Sequence, residues 1–276
     1  MKKHVFFASL LFVGTLATAN ADVSMTADSA MKTSVSISQG YRNDNLKLRG
    51  HGGGSTKQHF KNIDTYTTRL GVLVEKDQFF MKGIVGYGDV YDGKVHYHGH
   101  GHHGHRKVKG DYTADFDLKF GKQYMLENDW AVAPTIGYGV FIQDFHGKKH
   151  HHGHSREKLK ALWYSPQIGV CVKKSFNAEW NAYLSYNFFY PVNCQTTSYT
   201  KHSNSRDRQE NQAYKSVGNT GTIGAEWIFA KNWSLKPEIE VMKFYSKGGN
   251  SHHNHTNHRK ITRSAAEYRL VLNYIF

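Results

Sequence analysis

Residues 96–105 read HYHGHGHHGH, six histidines in ten positions, separated by glycine and one tyrosine. Neutral imidazole is a borderline donor suited to Zn²⁺, Cu²⁺ and Ni²⁺. His-x-His and His-His spacings bring several ring nitrogens close together, and the interleaved glycines let the backbone bend them toward one ion. A second tract, HGKKHHHGH, spans residues 146–154, and a third, HHNHTNH, spans 252–258. Cysteine and carboxylate ligands are missing from these tracts, so the composition points to loose, exchangeable binding of several ions. The candidate metal ligands are His96, His98, His100, His102, His103 and His105, then His146, His150, His151, His152 and His154, then His252, His253, His255 and His258. No cofactor is required on this reading; Zn, Ni or Cu would be held loosely, and haem could use the same imidazoles as axial ligands.

Imidazole also gains charge as pH falls through mild acidity. The histidine tracts are interleaved with Lys94, Arg106, Lys107, Lys109, Lys148, Lys149, Arg156, Lys158, Arg259 and Lys260, against few acids. These residues, Lys158 apart, are the candidate contacts for polyanions such as sulfated or sialylated host glycans or lipopolysaccharide, and such binding would weaken with salt. The whole chain carries +14 with histidine neutral, falling to about +12 without Lys2 and Lys3.

The elements that must position these tracts show a period of two. In AEYRLVLNYIF, Tyr268, Leu270, Leu272, Tyr274 and Phe276 share one face, while Glu267, Arg269, Val271 and Asn273 share the other. Tyr112, Ala114, Phe116, Leu118 and Phe120 alternate in the same way with Thr113, Asp115, Asp117 and Lys119. An apolar outer set and a polar inner set is what a strand needs when one face meets hydrocarbon and the other a lumen. Ten such strands are predicted near 32–42, 63–75, 79–92, 110–125, 130–145, 159–174, 179–195, 214–229, 234–247 and 262–276. Their connections alternate short and long, as in outer-membrane barrels with short periplasmic turns and long outer loops. The expected fold is therefore all-β, a transmembrane antiparallel up-and-down β-barrel with long extracellular loops, resident in the cell outer membrane as a monomer. The strand map puts every histidine after His4 in an outer loop. Nucleic acid is not an expected partner; lipid, lipopolysaccharide, metal ions and host glycans are.

The amino terminus fits this placement. MKKHVFFASLLFVGTLATANA has a charged start, an apolar run and a small-x-small site, so residues 1–21 read as a secretory signal peptide and 22–276 as the barrel. Cys171 and Cys194 are expected to remain free. The map places Cys171 low and inward on the sixth strand, its hairpin partner near Tyr183, and Cys194 high and outward on the seventh, too far apart for a disulfide. Pro134, Pro166, Pro191 and Pro237 would each delete a ladder hydrogen bond, and are expected at bulges or rims.

The strand plan resembles that of the omptin proteases. That resemblance implies an acidic pair and an Asp–His pair converging above the lumen, and the local matches are Asp115-Phe-Asp117 and Asp144-Phe-His146. Parity turns Asp115 and Asp117 inward but Asp144 and His146 outward, so no enzyme activity is expected. Asp115 and Asp117 are read as part of a lumen network with Lys119, Arg69, Lys82, Lys173, Glu226, Glu238, Glu240 and Arg269. The plan also resembles the Opc-type adhesins, whose basic outer loops bind sulfated glycans. A narrow porin is the remaining alternative, against which Phe141, Trp163, Tyr183 and Phe189 are expected to block the bore.

Overall fold

The computed structural model describes residues 31–49, 57–99, 102–108, 112–146, 156–201, 206–247 and 260–276; the expected cleavage site after Ala21 lies outside them. They form β1 (Lys32–Arg49), β2 (Lys57–Lys76), β3 (Phe79–Gly99), β4 (His102–Lys107), β5 (Tyr112–Lys122), β6 (Tyr124–Met125), β7 (Trp130–His146), β8 (Arg156–Ser175), β9 (Trp180–Lys201), β10 (Arg206–Ala230), β11 (Trp233–Lys247) and β12 (Lys260–Ile275). β4, β5 and β6 run end to end as one stave, since β3 pairs with β4 and β5 while β7 pairs with β5 and β6. Ten staves result. All pair antiparallel; β1 joins β12, and β2 with β3 completes the circuit, so the sheet closes into an up-and-down barrel.

The outer surface carries the predicted apolar set. Leu70 faces out on β2, with exposed Val85, Phe116, Ile136, Ile168, Leu184, Ile223, Ile239 and Leu270 on the strands that follow. Aromatic rings border this belt on both sides. At the lower edge Trp180 stacks on Trp227 at 5.9 Å between centroids, and Trp130 and Trp233 are also exposed. At the upper edge Tyr66 stacks on Tyr91 at 4.5 Å, with Tyr41 beside both. Amphipathic rings of this kind sit where hydrocarbon gives way to headgroups.

Above the upper ring the barrel continues, and its amphipathic sense inverts. On β1 the outward series after Tyr41 is Asn43, Asn45, Lys47 and Arg49, while the inward series becomes Leu46 and Leu48, both buried. Phe60, Val95, Val108, Phe145, Leu159, Trp163, Phe244 and Ile261 join them in one apolar core. The staves are therefore longer than predicted, and much of the expected outer loops is strand. Alternation persists across the lipid boundary, but with apolar residues now inside and polar ones outside, as in a water-soluble barrel. A reading keyed to apolar-out strands stops at that inversion.

Beneath the core the lumen holds an ion-pair network. Arg42 Nε donates to Asp44 at 2.7 Å, Arg263 Nη2 lies 2.8 Å from the same carboxylate, and all three side chains are inaccessible or nearly so. Arg69 bridges Asp115 at 3.1 Å and Glu267 at 2.9 Å; Arg269 binds Glu238 and reaches Glu240 at 3.2 Å. Lys119 pairs with Asp117 at 3.0 Å, and Lys173 and Lys236 hold Glu226 at 3.1 and 2.9 Å. The expected network forms except at Lys82, which pairs with no carboxylate among the described residues; Phe141, Trp163 and Phe189 lie in the bore above it and Tyr183 is bonded to Glu238 within it. Arg42, Asp44, Arg263 and Glu267 extend the network beyond the expected set, and Asp44 lies past the predicted end of the first strand at residue 42.

Both cysteines are free. Cys171 pairs in register with Ser185, two residues from the expected Tyr183. The expected outward orientation of Cys194 is wrong: its thiol is buried inside the core. β9 carries an extra residue opposite Ser165–Pro166, where the register jumps from Tyr164↔Asn193 to Gln167↔Phe189. That bulge, at Pro191, reverses the parity of everything above it. Pro166 and Pro191 thus sit at an irregularity, as prolines that cannot donate to the ladder should.

Candidate functional site

Two bulges prepare the outer face of the upper barrel. β2 carries an extra residue around Asn62, where the β1 register shifts from Asp44↔Ile63 to Leu46↔Phe60. Asn62 has φ of 50°, the left-handed region that asparagine tolerates better than most residues. β3 carries its own extra residue at Tyr91, between Asp64↔Asp92 and Thr65↔Val90. Each bulge flips the parity of its strand. Phe60 and Val95 turn into the core, and His59 and His96 come to the outside.

His59 and His96 are direct cross-strand partners, and His96 is in turn opposite His105 on β4. Two residues further out, His98 is opposite His103. Directly opposed residues in an antiparallel pair hold their Cβ atoms about 4.5–5.5 Å apart. Zn–N bonds are about 2.0–2.1 Å, so opposed imidazoles can share one ion by side-chain rotation. The Nε2 of His59 is shielded from water and makes no hydrogen bond. A buried, unpaired ring nitrogen is uncommon and calls for a partner. Among the described residues, no three His, Cys, Asp or Glu side chains already converge on one point.

The same face is cationic. Lys61, Lys94 and Lys107 are in register on β2, β3 and β4, one step nearer the membrane than the histidines, and all are exposed. One step beyond the histidines, Lys247, Lys260, Arg49, Lys57, His98 and His103 occupy consecutive register positions on six neighbouring strands. On the opposite wall Arg156, Lys201 and Arg206 are likewise in line. Burial, reinforced by Lys47, Lys61, His96 and Arg49, lowers the pKa of His59 to about 4. His59 therefore stays neutral in mild acid, unlike the fully solvated imidazoles of the sequence reading.

Of the predicted ligands, His96, His98, His102, His103, His105 and His146 lie on strands and not in loops as expected. His59, on β2, belongs with them. Lys94, Arg106, Lys107, Arg156, Lys158 and Lys260 are also on strands. His100, His150, His151, His152, His154, His252, His253, His255, His258, Lys109, Lys148, Lys149 and Arg259 lie outside the described residues. His59 falls in the first expected loop, where a lone histidine between Gln58 and Phe60 carries no local signal. Only its register with His96 reveals it.

The omptin-like aspartates divide between the two faces of the sheet. Asp115 and Asp117 point into the lumen and are engaged by Arg69 and by Lys119 with Gln167. Asp144 lies on the opposite face of its strand from the lumen-lining Gln143 and Phe145, and His146 shares its parity.

A solved structure shares this architecture. The outer membrane protease OmpT of Escherichia coli superposes with a TM-score of 0.71 at 12% identity, covering 93% of this chain and 99% of its own. At that identity the likeness is one of fold. Ail, the attachment invasion locus protein of Yersinia pestis, is 13% identical over 86% of this chain and 97% of its own, with a TM-score of 0.27. No curated relative matches the sequence. The family model described as Protochlamydia outer membrane protein, Pom, matches residues 36–269, most of the barrel from β1 to β12. The chain is an outer-membrane β-barrel and belongs to the Pom family.

Proposed function

We propose that this barrel displays a transition-metal-binding face at the cell surface, built on the in-register histidines of β2, β3 and β4. The observation that carries the reading is the His59–His96–His105 row together with the unpaired, water-shielded Nε2 of His59. The neighbouring cations oppose a dication, which suits weak, exchangeable binding over a permanent centre. The histidine tracts at 146–154 and 252–258 would add further donors. No reaction is proposed.

Isothermal titration of Zn²⁺ into the folded barrel tests this reading. The wild type is expected to bind, and the His59→Ala/His96→Ala pair to weaken the tightest site by about tenfold or more, about 1.4 kcal/mol. No Zn²⁺ binding at neutral pH removes the reading.

A second reading, adhesion to polyanionic glycans, is favoured by the six-strand row from Lys247 to His103. Salt-sensitive binding of a sulfated oligosaccharide, lost in an Arg49→Glu/Lys260→Glu variant, would support it. The filled bore weighs against a porin. Solute-sized conductance steps from the purified protein in a planar bilayer would reverse that judgement.

A further inference from the structure

The lower lumen contains a cavity of about 300 Å³. Its roof is the underside of the core, formed by Phe141, Trp163, Phe189 and Phe244, and its lining reaches Glu75, Gln123 and Lys173 toward the periplasmic turns. Leu73, Phe80, Ile84, Ala131 and Ala133 contribute apolar wall. Lys82 also lines it.

Among the described residues, Lys82 differs from the other lumen cations. Most carboxylates below the core are already claimed: Asp115 by Arg69, Asp117 by Lys119, Glu226 by Lys173 and Lys236, and Glu240 by Arg269; Glu75, at the periplasmic end of the lining, makes no ion pair with Lys82. Glu238, whose field reaches Lys82, is bound by Arg269 and by the Tyr183 hydroxyl. Among the described residues Lys82 has no carboxylate within ion-pair distance, although it is only partly exposed and lines the cavity. An ammonium partly withdrawn from bulk water with no directly paired counter-charge is costly. Here it faces a space that is apolar over much of its wall.

We propose that this cavity binds a small amphipathic carboxylate entering from the periplasmic side, its carboxylate on Lys82 and its hydrocarbon against Leu73, Phe80 and Ile84. The ligand supplies the directly paired counter-charge that Lys82 lacks and fills the apolar volume under the roof. A simple inorganic anion would satisfy only the first need, and a neutral alkane or alcohol only the second. The inference is independent of the metal-binding face, which lies on the opposite side of the sheet.

The test uses the folded full-length barrel in detergent, with correct folding of each variant checked by heat-modifiable gel mobility. Octanoate labelled with ¹³C at the carboxyl is titrated and its carboxyl resonance followed, against a detergent blank. The wild type is expected to bind saturably. Lys82→Met should weaken octanoate by about tenfold or more, and Lys82→Arg should restore most of the affinity. Octanol and acetate should each bind the wild type far more weakly than octanoate. Octanol binding as well as octanoate, acetate binding as well as octanoate, or an unchanged Lys82→Met variant that folds normally would each overturn the proposal.

Discussion

His59 and His96 stand directly opposite one another across the β2–β3 pair, and each faces outward because its own strand carries one extra residue nearer the membrane. The bulges are matched, one at Asn62 and one at Tyr91, so the pairing between the strands recovers above them. Their joint effect is to exchange two apolar residues for two imidazoles on the outer face.

That exchange is open to a labelling test. In a background with Cys171→Ser and Cys194→Ala, His96→Cys should react with a membrane-impermeant maleimide on intact cells. Val95→Cys, inside the core, should not. Reaction at both positions, or at Val95→Cys alone, would contradict the parity assigned to β3.

The low pKa of His59 has a defined consequence. An ordinary imidazole titrates near 6.5, whereas His59 is lowered to about 4 by burial and its cationic neighbours. Between these values the unfolded chain takes up a proton that the folded ring refuses. Stability from this residue is therefore present above about pH 6.5 and lost as pH falls toward 4. An NMR titration of the metal-free protein should show the His59 ring unchanged at pH 5.5, where exposed loop imidazoles are mostly protonated.

Salt separates the two binding readings by sign. Zn²⁺ must approach Lys47, Lys61 and Arg49 to reach His59, so screening these charges should strengthen metal binding. The same screening should weaken a sulfated oligosaccharide on the Lys247-to-His103 row. Zn²⁺ affinity measured at low and moderate NaCl is expected to rise modestly, and heparin-fragment affinity to fall.

The lumen network predicts a stability effect. Asp44 is the only carboxylate paired with Arg263 among the described residues, and it also holds Arg42. Asp44→Asn leaves a buried guanidinium uncompensated over the Phe141 ring, which lies 3.6 Å from Arg263 Cζ. The expected cost is about 3–5 kcal/mol, read as a lower guanidinium midpoint by tryptophan fluorescence. A change below about 1 kcal/mol would mean that the network is not a structural element.

The lipid-facing half of the molecule was legible in the sequence because hydrocarbon imposes one rule on every strand. Tyr268, Leu270, Leu272 and Tyr274 follow it, as do Glu267 and Arg269 on the inside. What escaped reading lies where that rule stops. Asn43 to Arg49 look like loop because they are polar, yet Leu46 and Leu48 between them make a soluble-type strand. Bulges at Asn62, Tyr91 and Pro191 reverse parity without a signature strong enough to place them, and the one at Pro191 turns Cys194 inward against simple alternation. The histidine tracts were visible by composition, but His59 joined them only through pairing with a strand more than thirty residues away.

The most direct test of the metal-binding face is the imidazole ¹⁵N spectrum of His59 and His96 during Zn²⁺ addition at neutral pH. Both rings are expected to shift together and to saturate at the same equivalence, with His105 moving in step. If Zn²⁺ binds elsewhere on the protein while the His59 and His96 resonances stay fixed, the cross-strand pair is not a metal site.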